Sequence, residues 1–270
     1  MIPASFEFET AESTEHALSL LTEHGDDAKL LAGGHSLLPM MKLRLAMPAV
    51  LVDIARVTEL SGIRAQDREL VIGATTRHAD LASSPLVQAE APILAYAASQ
   101  VGDPQIRHRG TIGGSIAHAD PSADLPMALV ALDGSVEITG RSGVRTVPVS
   151  EFFQGFFETA VAPDEILTAI RVPRTGSATW GYQKFVRRAN DWAIVGAAAV
   201  AGRVALASMG AKPLRATAVE AALAAGASIE EASSHAAEGT SAGEDFHADK
   251  EFREHLARVL TRRALEGKTG

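Results

Sequence analysis

Two short runs of small residues hold most of the chemistry this sequence offers. Ala32-Gly33-Gly34-His35-Ser36 comes directly after an apolar stretch ending in Leu30-Leu31, and Thr111-Ile112-Gly113-Gly114-Ser115 lies further along. Glycines let a backbone turn sharply and approach a ligand closely, and their N–H groups can converge on an anion, with Ser36 adding a hydroxyl donor. Taken singly, each run is equally a tight turn that binds nothing. As a pair they suggest two edges of one phosphate-bearing ligand, because a diphosphate needs several donors.

Neither run is a Gly-x-Gly-x-x-Gly fingerprint. Gly267-Lys268-Thr269 imitates the end of a P-loop, but Arg262 stands where the leading glycine belongs. His118, Asp120 and Asp124 place a histidine and two carboxylates close together. Their spacing matches no metal-ligand pattern, and they read better as acceptors for loop amides or ligand hydroxyls, or as caps. His35 and Ser36 are adjacent and so do not face each other as a nucleophile and base, and no Gly-x-Ser-x-Gly elbow occurs. Residues 182–192, Tyr-Gln-Lys-Phe-Val-Arg-Arg-Ala-Asn-Asp-Trp, mix aromatics with cations. Either Lys184 or Trp192 borders a redox ring there, or the segment is an edge strand with a solvated basic face.

These residues need elements to position them. Phe6 and Phe8 alternate with Glu7 and Glu9 as in a strand. Residues 14–24 read as a helix, with Ser13 as its N-cap and Gly25 at its stop. Residues 29–32 form a short strand into the first glycine run, residues 37–45 a helix with Pro39 in its first turn, and residues 50–54 a second buried strand. Further strands are expected at 69–72 and 165–172, and helical material over 80–101 is broken near Pro85 and Pro92. Residues 174–177, Arg-Thr-Gly-Ser, are the expected linker. Beyond them lie two apolar strands, 193–201 and 203–209, an alanine-rich helical region and a charged helix over 249–265.

Composition narrows the function. The 270 residues carry a formal net charge of -8, which argues against a nucleic-acid binder. Cysteine is absent, so this chain holds no disulfide, thiolate zinc site or thiolate-bound iron–sulfur cluster. Residues 1–12 lack a basic and apolar leader, and no apolar stretch approaches the ~20 residues of a membrane span, so a cytoplasmic location is expected.

Ala32-Gly-Gly-His-Ser36 with Leu37-Leu38-Pro39-Met40-Met41-Lys42-Leu43-Arg44, and Thr111-Ile-Gly-Gly-Ser115 with residues 117–126, resemble the two FAD loops of the medium subunits of aerobic carbon monoxide dehydrogenases. That family includes the flavin subunits of nicotine, quinoline and xanthine dehydrogenases, and the similarity runs over nearly the whole chain. The resemblance implies an α+β fold: a vanillyl-alcohol-oxidase-type (PCMH-type) FAD-binding domain over 1–173, with subdomains 1–56 and 57–173. A C-terminal domain over 174–270, with a small antiparallel sheet and helices, completes it.

It further implies FAD held by Leu31, Ala32, Gly33, Gly34, His35, Ser36, Leu37, Thr111, Ile112, Gly113, Gly114, Ser115, Asp124, Leu167 and Lys184. No residue of this chain is expected to act as a catalytic acid or base. A large partner subunit would carry the molybdenum cofactor and a small one two-iron iron–sulfur clusters, in a dimer of heterotrimers. Electrons would reach FAD here and leave to an external acceptor. Rival readings are a stand-alone FAD oxidase or reductase, a scaffold that has lost its cofactor, and a metal hydrolase built on His118 and Asp120.

Overall fold

The computed structural model describes residues 2–270. The chain opens with β1 (Glu7–Thr10), α1 (Thr14–His24), β2 (Ala28–Leu31), α2 (Leu37–Lys42) and β3 (Val50–Asp53). The strands form a parallel sheet in the order β1-β3-β2. Ala17, Leu20 and Leu21 of α1 recur at helical spacing and bury against Val50 and Val52. Ser13 caps α1 by accepting from the His16 N–H at 3.0 Å, and Gly25 ends it at φ +54°. The strand expected from the alternation of Phe6 and Phe8 is β1, with Phe6 just ahead of it and both rings exposed. The helix expected over 37–45 stops at Lys42, where the chain turns through Arg44 at φ +59°.

The next unit holds β4 (Ile63–Gln66), β5 (Glu69–Gly73), α3 (His78–Ser83), α4 (Pro85–Glu90), α5 (Pro92–Ser99), α6 (Pro104–Arg107), α7 (Ile112–His118) and α8 (Asp124–Leu132). It continues with β6 (Ser135–Gly140), β7 (Gly143–Pro148), α9 (Val149–Phe152), β8 (Phe153–Gly155), β9 (Glu158–Thr159) and β10 (Ile166–Pro173). Pro85, Pro92 and Pro104 each open a helix, where a missing N–H costs nothing. The antiparallel sheet runs β4-β5-β10-β6-β7 and packs beneath the helices. Every residue of α8 is buried, Asp124 included. The second glycine run is not an open loop. Thr111 caps α7, and Ile112 to Ser115 form its first turn.

Beyond the expected linker come β11 (Trp180–Phe185), β12 (Val195–Val200), β13 (Arg203–Ala207), β14 (Leu214–Arg215), α10 (Thr217–Ala224), α11 (Ile229–Ser234) and α12 (Lys250–Leu265). The four strands form an antiparallel sheet in sequence order. Ala201 and Gly202, both at positive φ, make the two-residue turn between β12 and β13. Helix α12 lies close on the sheet: a Cβ on Gly181 would sit 2.1 Å from the Ala264 oxygen. The linker is pinned, since Thr175 N donates to Glu90 O at 2.6 Å and Arg174 pairs with the Glu90 carboxylate at 2.8 Å. Strand β11 is not a free edge either, because residues 268–270 pair along it, with Tyr182 N to Lys268 O at 3.0 Å and Gly270 N to Tyr182 O at 3.1 Å. Among the described residues no helix is long and apolar enough to cross a membrane.

Candidate cofactor site

A cavity of about 750 Å³ runs between the three units, within the range of sites that enclose small ligands. Of the fifteen residues singled out in the sequence, fourteen line it: Leu31 to Leu37, Thr111, Gly113, Gly114, Ser115, Asp124, Leu167 and Lys184. Ile112 does not, since its side chain is 1% exposed and belongs to the apolar core under the sheet.

The first glycine run leaves β2 and enters α2. None of the N–H groups of Gly33, Gly34, His35 and Ser36 donates to another group of the described residues. Four neighbouring amides without internal acceptors, at a cavity wall and leading into a helix start, suit an anion. Gly34 has φ +78°, a conformation that favours glycine. The second run differs. Ile112 N donates to Thr76 O, Gly113 N to Ala74 O at 2.8 Å, Gly114 N to the Thr111 hydroxyl at 3.2 Å and Ser115 N to Thr111 O. Its amides are therefore used, and what it brings to the cavity is hydroxyl groups and a wall without side chains at Gly113 and Gly114. Gly113 is required for another reason, because a Cβ there would lie 2.5 Å from that of Ala74.

A buried polar cluster closes the wall formed by α8 and β11. Asp124, the first residue of α8, takes a hydrogen bond on Oδ1 from the Tyr182 hydroxyl, and its Oδ2 lies 2.9 Å from Lys184 Nζ. Lys184 Nζ also donates to Gln100 O at 3.3 Å. The side chains of Lys184 and Asp124 are 7% and 3% exposed. Burial pushes the Asp124 carboxyl above its ordinary value, against the downward pull of Lys184 and Tyr182. Burial, reinforced by the neighbouring Asp124, also raises the Tyr182 hydroxyl well above its usual range, so it acts as a donor. The donors to the Asp124 carboxylate are thus the Tyr182 hydroxyl and the Lys184 ammonium of β11, where the sequence suggested loop amides or ligand hydroxyls. Register explains the geometry: Tyr182 and Lys184 share one face of β11, opposite Ala198 and Gly196.

Two further residues of the cavity, His78 and Phe157, were not singled out in the sequence. His78, at the start of α3, is 4% exposed, and its Nδ1 has no partner. Burial, with His35 and Arg107 adding repulsion, lowers its pKa to about 4, so the ring is neutral. Phe157 adopts φ +57° and packs against His118, with ring centroids 4.8 Å apart and the planes tilted by 42°. No sequence pattern announces them, since His78 sits in an unremarked strand-to-helix turn. Asp120 accepts from Ser122 N at 2.8 Å, as a loop carboxylate does. Among the described residues no group of three or more His, Asp or Glu side chains is arranged to hold a metal ion.

Comparison with known proteins places this geometry. Residues 4–175 match the family described as FAD binding domain in molybdopterin dehydrogenase, and residues 180–267 match the CO dehydrogenase flavoprotein C-terminal domain. The chain is 43% identical to the carbon monoxide dehydrogenase medium chain of Hydrogenophaga pseudoflava, over 98% of this chain and 97% of that one. It is 46% identical to the 6-hydroxypseudooxynicotine dehydrogenase complex subunit alpha of Paenarthrobacter nicotinovorans, over 74% and 68% of the two chains. The solved carbon monoxide dehydrogenase from Hydrogenophaga pseudoflava superposes with a TM-score of 0.95, covering 99% of this chain and 98% of that one at 43% identity. Quinoline 2-oxidoreductase from Pseudomonas putida 86 gives 0.92 at 30% identity with the same coverage. The chain belongs to the family of FAD-binding medium subunits of molybdenum-containing, carbon monoxide dehydrogenase-like oxidoreductases.

Proposed function

We propose that the cavity holds FAD, with the diphosphate against Ala32 to Ser36 and the hydroxyls of Thr111 and Ser115, and the flavin ring toward Leu167, Asp124 and Lys184. The row of unused amides from Gly33 to Ser36 is the observation that carries this reading. An anion at that wall supplies acceptors to donors that otherwise have none. The side chains of the site also suit the cofactor: a neutral His78, a buried lysine, and apolar flanks at Leu31, Leu37 and Leu167. The remaining site residue, Ile112, acts by seating the first turn of α7 in the core. The flavin supplies the redox chemistry, while this chain binds it, orients it and sets its electrostatic surroundings.

In this reading the chain serves in a complex with a large molybdenum-cofactor subunit and a small iron–sulfur subunit, assembled as a cytoplasmic dimer of heterotrimers. Electrons from two-iron clusters of the small subunit reach the flavin and leave to an external acceptor. The absence of cysteine supports the division of labour, since the clusters then lie in another chain. The domains divide at residue 173, with the FAD-binding part itself divided near residue 56. The test is co-purification of this chain with the products of neighbouring genes, followed by release and identification of the flavin and sizing of the complex. Stoichiometric FAD with iron and molybdenum in the partners is expected. A preparation without flavin would overturn the site, and flavin on an isolated chain reduced directly by a small molecule would overturn the electron-transfer role.

A further inference from the structure

Tyr182 is the largest fully buried side chain of the molecule, yet it carries a polar end. Its hydroxyl has Asp124 Oδ1 as its partner, and its ring meets Tyr96 edge-on, with centroids 5.4 Å apart. The ring is fully buried in the apolar core, with that edge contact on one side and the cross-strand Ala198 beside it. A buried hydroxyl bonded to a buried carboxylate fixes the carboxylate's rotation, because turning it would leave Oδ1 and the phenol both unpaired.

The other carboxylate oxygen holds Lys184. A lysine ammonium sits on a flexible stem and is not fixed by its own shape. Here two of its three N–H groups are committed, to Asp124 Oδ2 and to the Gln100 carbonyl. The third has no acceptor among the described residues, and Lys184 lies in the cavity wall. The main chain beneath is fastened too, by Lys184 N to Gly270 O at 2.9 Å. The arrangement is therefore a relay of position: ring packing sets the phenol, the phenol sets the carboxylate, and the carboxylate sets the cation.

We propose that Tyr182 is a positioning residue of the flavin site: by orienting Asp124 it holds the Lys184 ammonium at the cavity wall, where the cation favours the reduced cofactor. This rests on the reading that the cavity holds FAD. A fixed positive charge beside a group that gains electrons stabilises the electron-rich form, and the effect is strong where water is excluded. Tyr182 itself need not touch the cofactor.

The experiment compares the flavin midpoint potentials of wild type, Y182F, K184M and the double variant in the intact complex, together with FAD content and melting temperature. K184M is expected to lower the potential by about 30 mV, a ~tenfold shift in the oxidised-to-reduced ratio of a two-electron couple. Y182F should keep full FAD content and lower the potential in the same direction by less. The double variant should fall no further than K184M, because the tyrosine acts through the lysine. A Y182F protein with an unchanged potential and a lower melting temperature would reduce Tyr182 to core packing and overturn the proposal. So would additive shifts in the double variant, or loss of flavin from Y182F at unchanged stability. Should Y182F fail to assemble, Y182L, which likewise removes the hydroxyl and leaves Asp124 and Lys184 in place, takes its place with the same expected sign and the same overturning result. Wild-type complex without flavin would remove the FAD reading instead, so the two failures are distinct.

Discussion

Gly33 and Gly110 meet so closely that a Cβ on Gly33 would lie 2.7 Å from the Gly110 Cα and 2.4 Å from the Arg109 oxygen. The run after β2 therefore leans on the segment leading into α7, and each glycine run helps to place the other. The first prediction concerns this contact. Gly33→Ala forces the two backbones apart and is expected to cost about 1–3 kcal/mol, as overpacking does, and to remove most of the bound FAD. Thermal unfolding and flavin content per chain measure the two effects. Full flavin content in this variant would mean that the loop spacing is not part of the site.

Gly34 and Gly114 are expected to separate folding from binding. A Cβ at Gly34 adds strain at φ +78° and meets Leu38 at 2.9 Å, so Gly34→Val should lower both stability and flavin content. At Gly114 the nearest atom is the Thr111 hydroxyl, at 2.8 Å, and the residue is exposed. Gly114→Val should therefore fold near normally and lose flavin because its side chain occupies the cavity wall. Equal flavin in Gly114→Val and wild type would place the diphosphate elsewhere.

The pH dependence of stability is expected to carry the signature of His78. Its pKa lies near 6.5 in the unfolded chain and about 4 in the folded one. Between those values the unfolded chain binds the extra proton, so stability falls as the pH drops from 6.5 to 4, by about 3 kcal/mol in all. Above 6.5 the contribution is fully present. Melting temperatures from pH 4 to pH 7 should flatten in His78→Gln, and an unaltered slope would assign the dependence to other groups.

Asp124→Ala strips the partner from a buried ammonium and a buried phenol at once. The expected loss is about 3–5 kcal/mol, the range for breaking one side of a buried pair. Adding Lys184→Met should recover part of it, because the stranded charge is gone. A double variant as unstable as the sum of the single variants would show that the two residues act independently.

Much of this fold was legible in the sequence because local chemistry agreed with tertiary demand. Ser13 and Gly25 mark the ends of α1, and Pro85 and Pro92 the starts of α4 and α5. The alternation at Phe6 and Phe8 gave the strand but not its burial, since an outer strand shows the same period on its solvent side. The glycine runs were legible as a pair, yet not their difference. Whether an amide is free depends on Thr76 and Ala74, which approach from outside the run. Lys184 was visible as a cation near aromatics, whereas its coupling to Asp124 and Tyr182 arises from the seating of α8 on β12 and β13, which brings its first residue to β11. His78 had no sequence signal, because its significance is a buried ring nitrogen, Nδ1, left without a partner.

The clasp of Asp124 with Tyr182 and Lys184 also limits how this chain can be taken apart or recombined. Residues 4–175 and 180–267 match separate families, which invites treating them as interchangeable modules. A cut at the segment between them would strand a carboxylate on one fragment and an ammonium with a phenol on the other, and would open the cavity along that wall. Arg215 with Asp133, Arg203 with Ala131 O and Lys212 with Phe153 O cross the same divide. A chimera that imports one half from a relative must therefore import residues 124, 182 and 184 as a matched set.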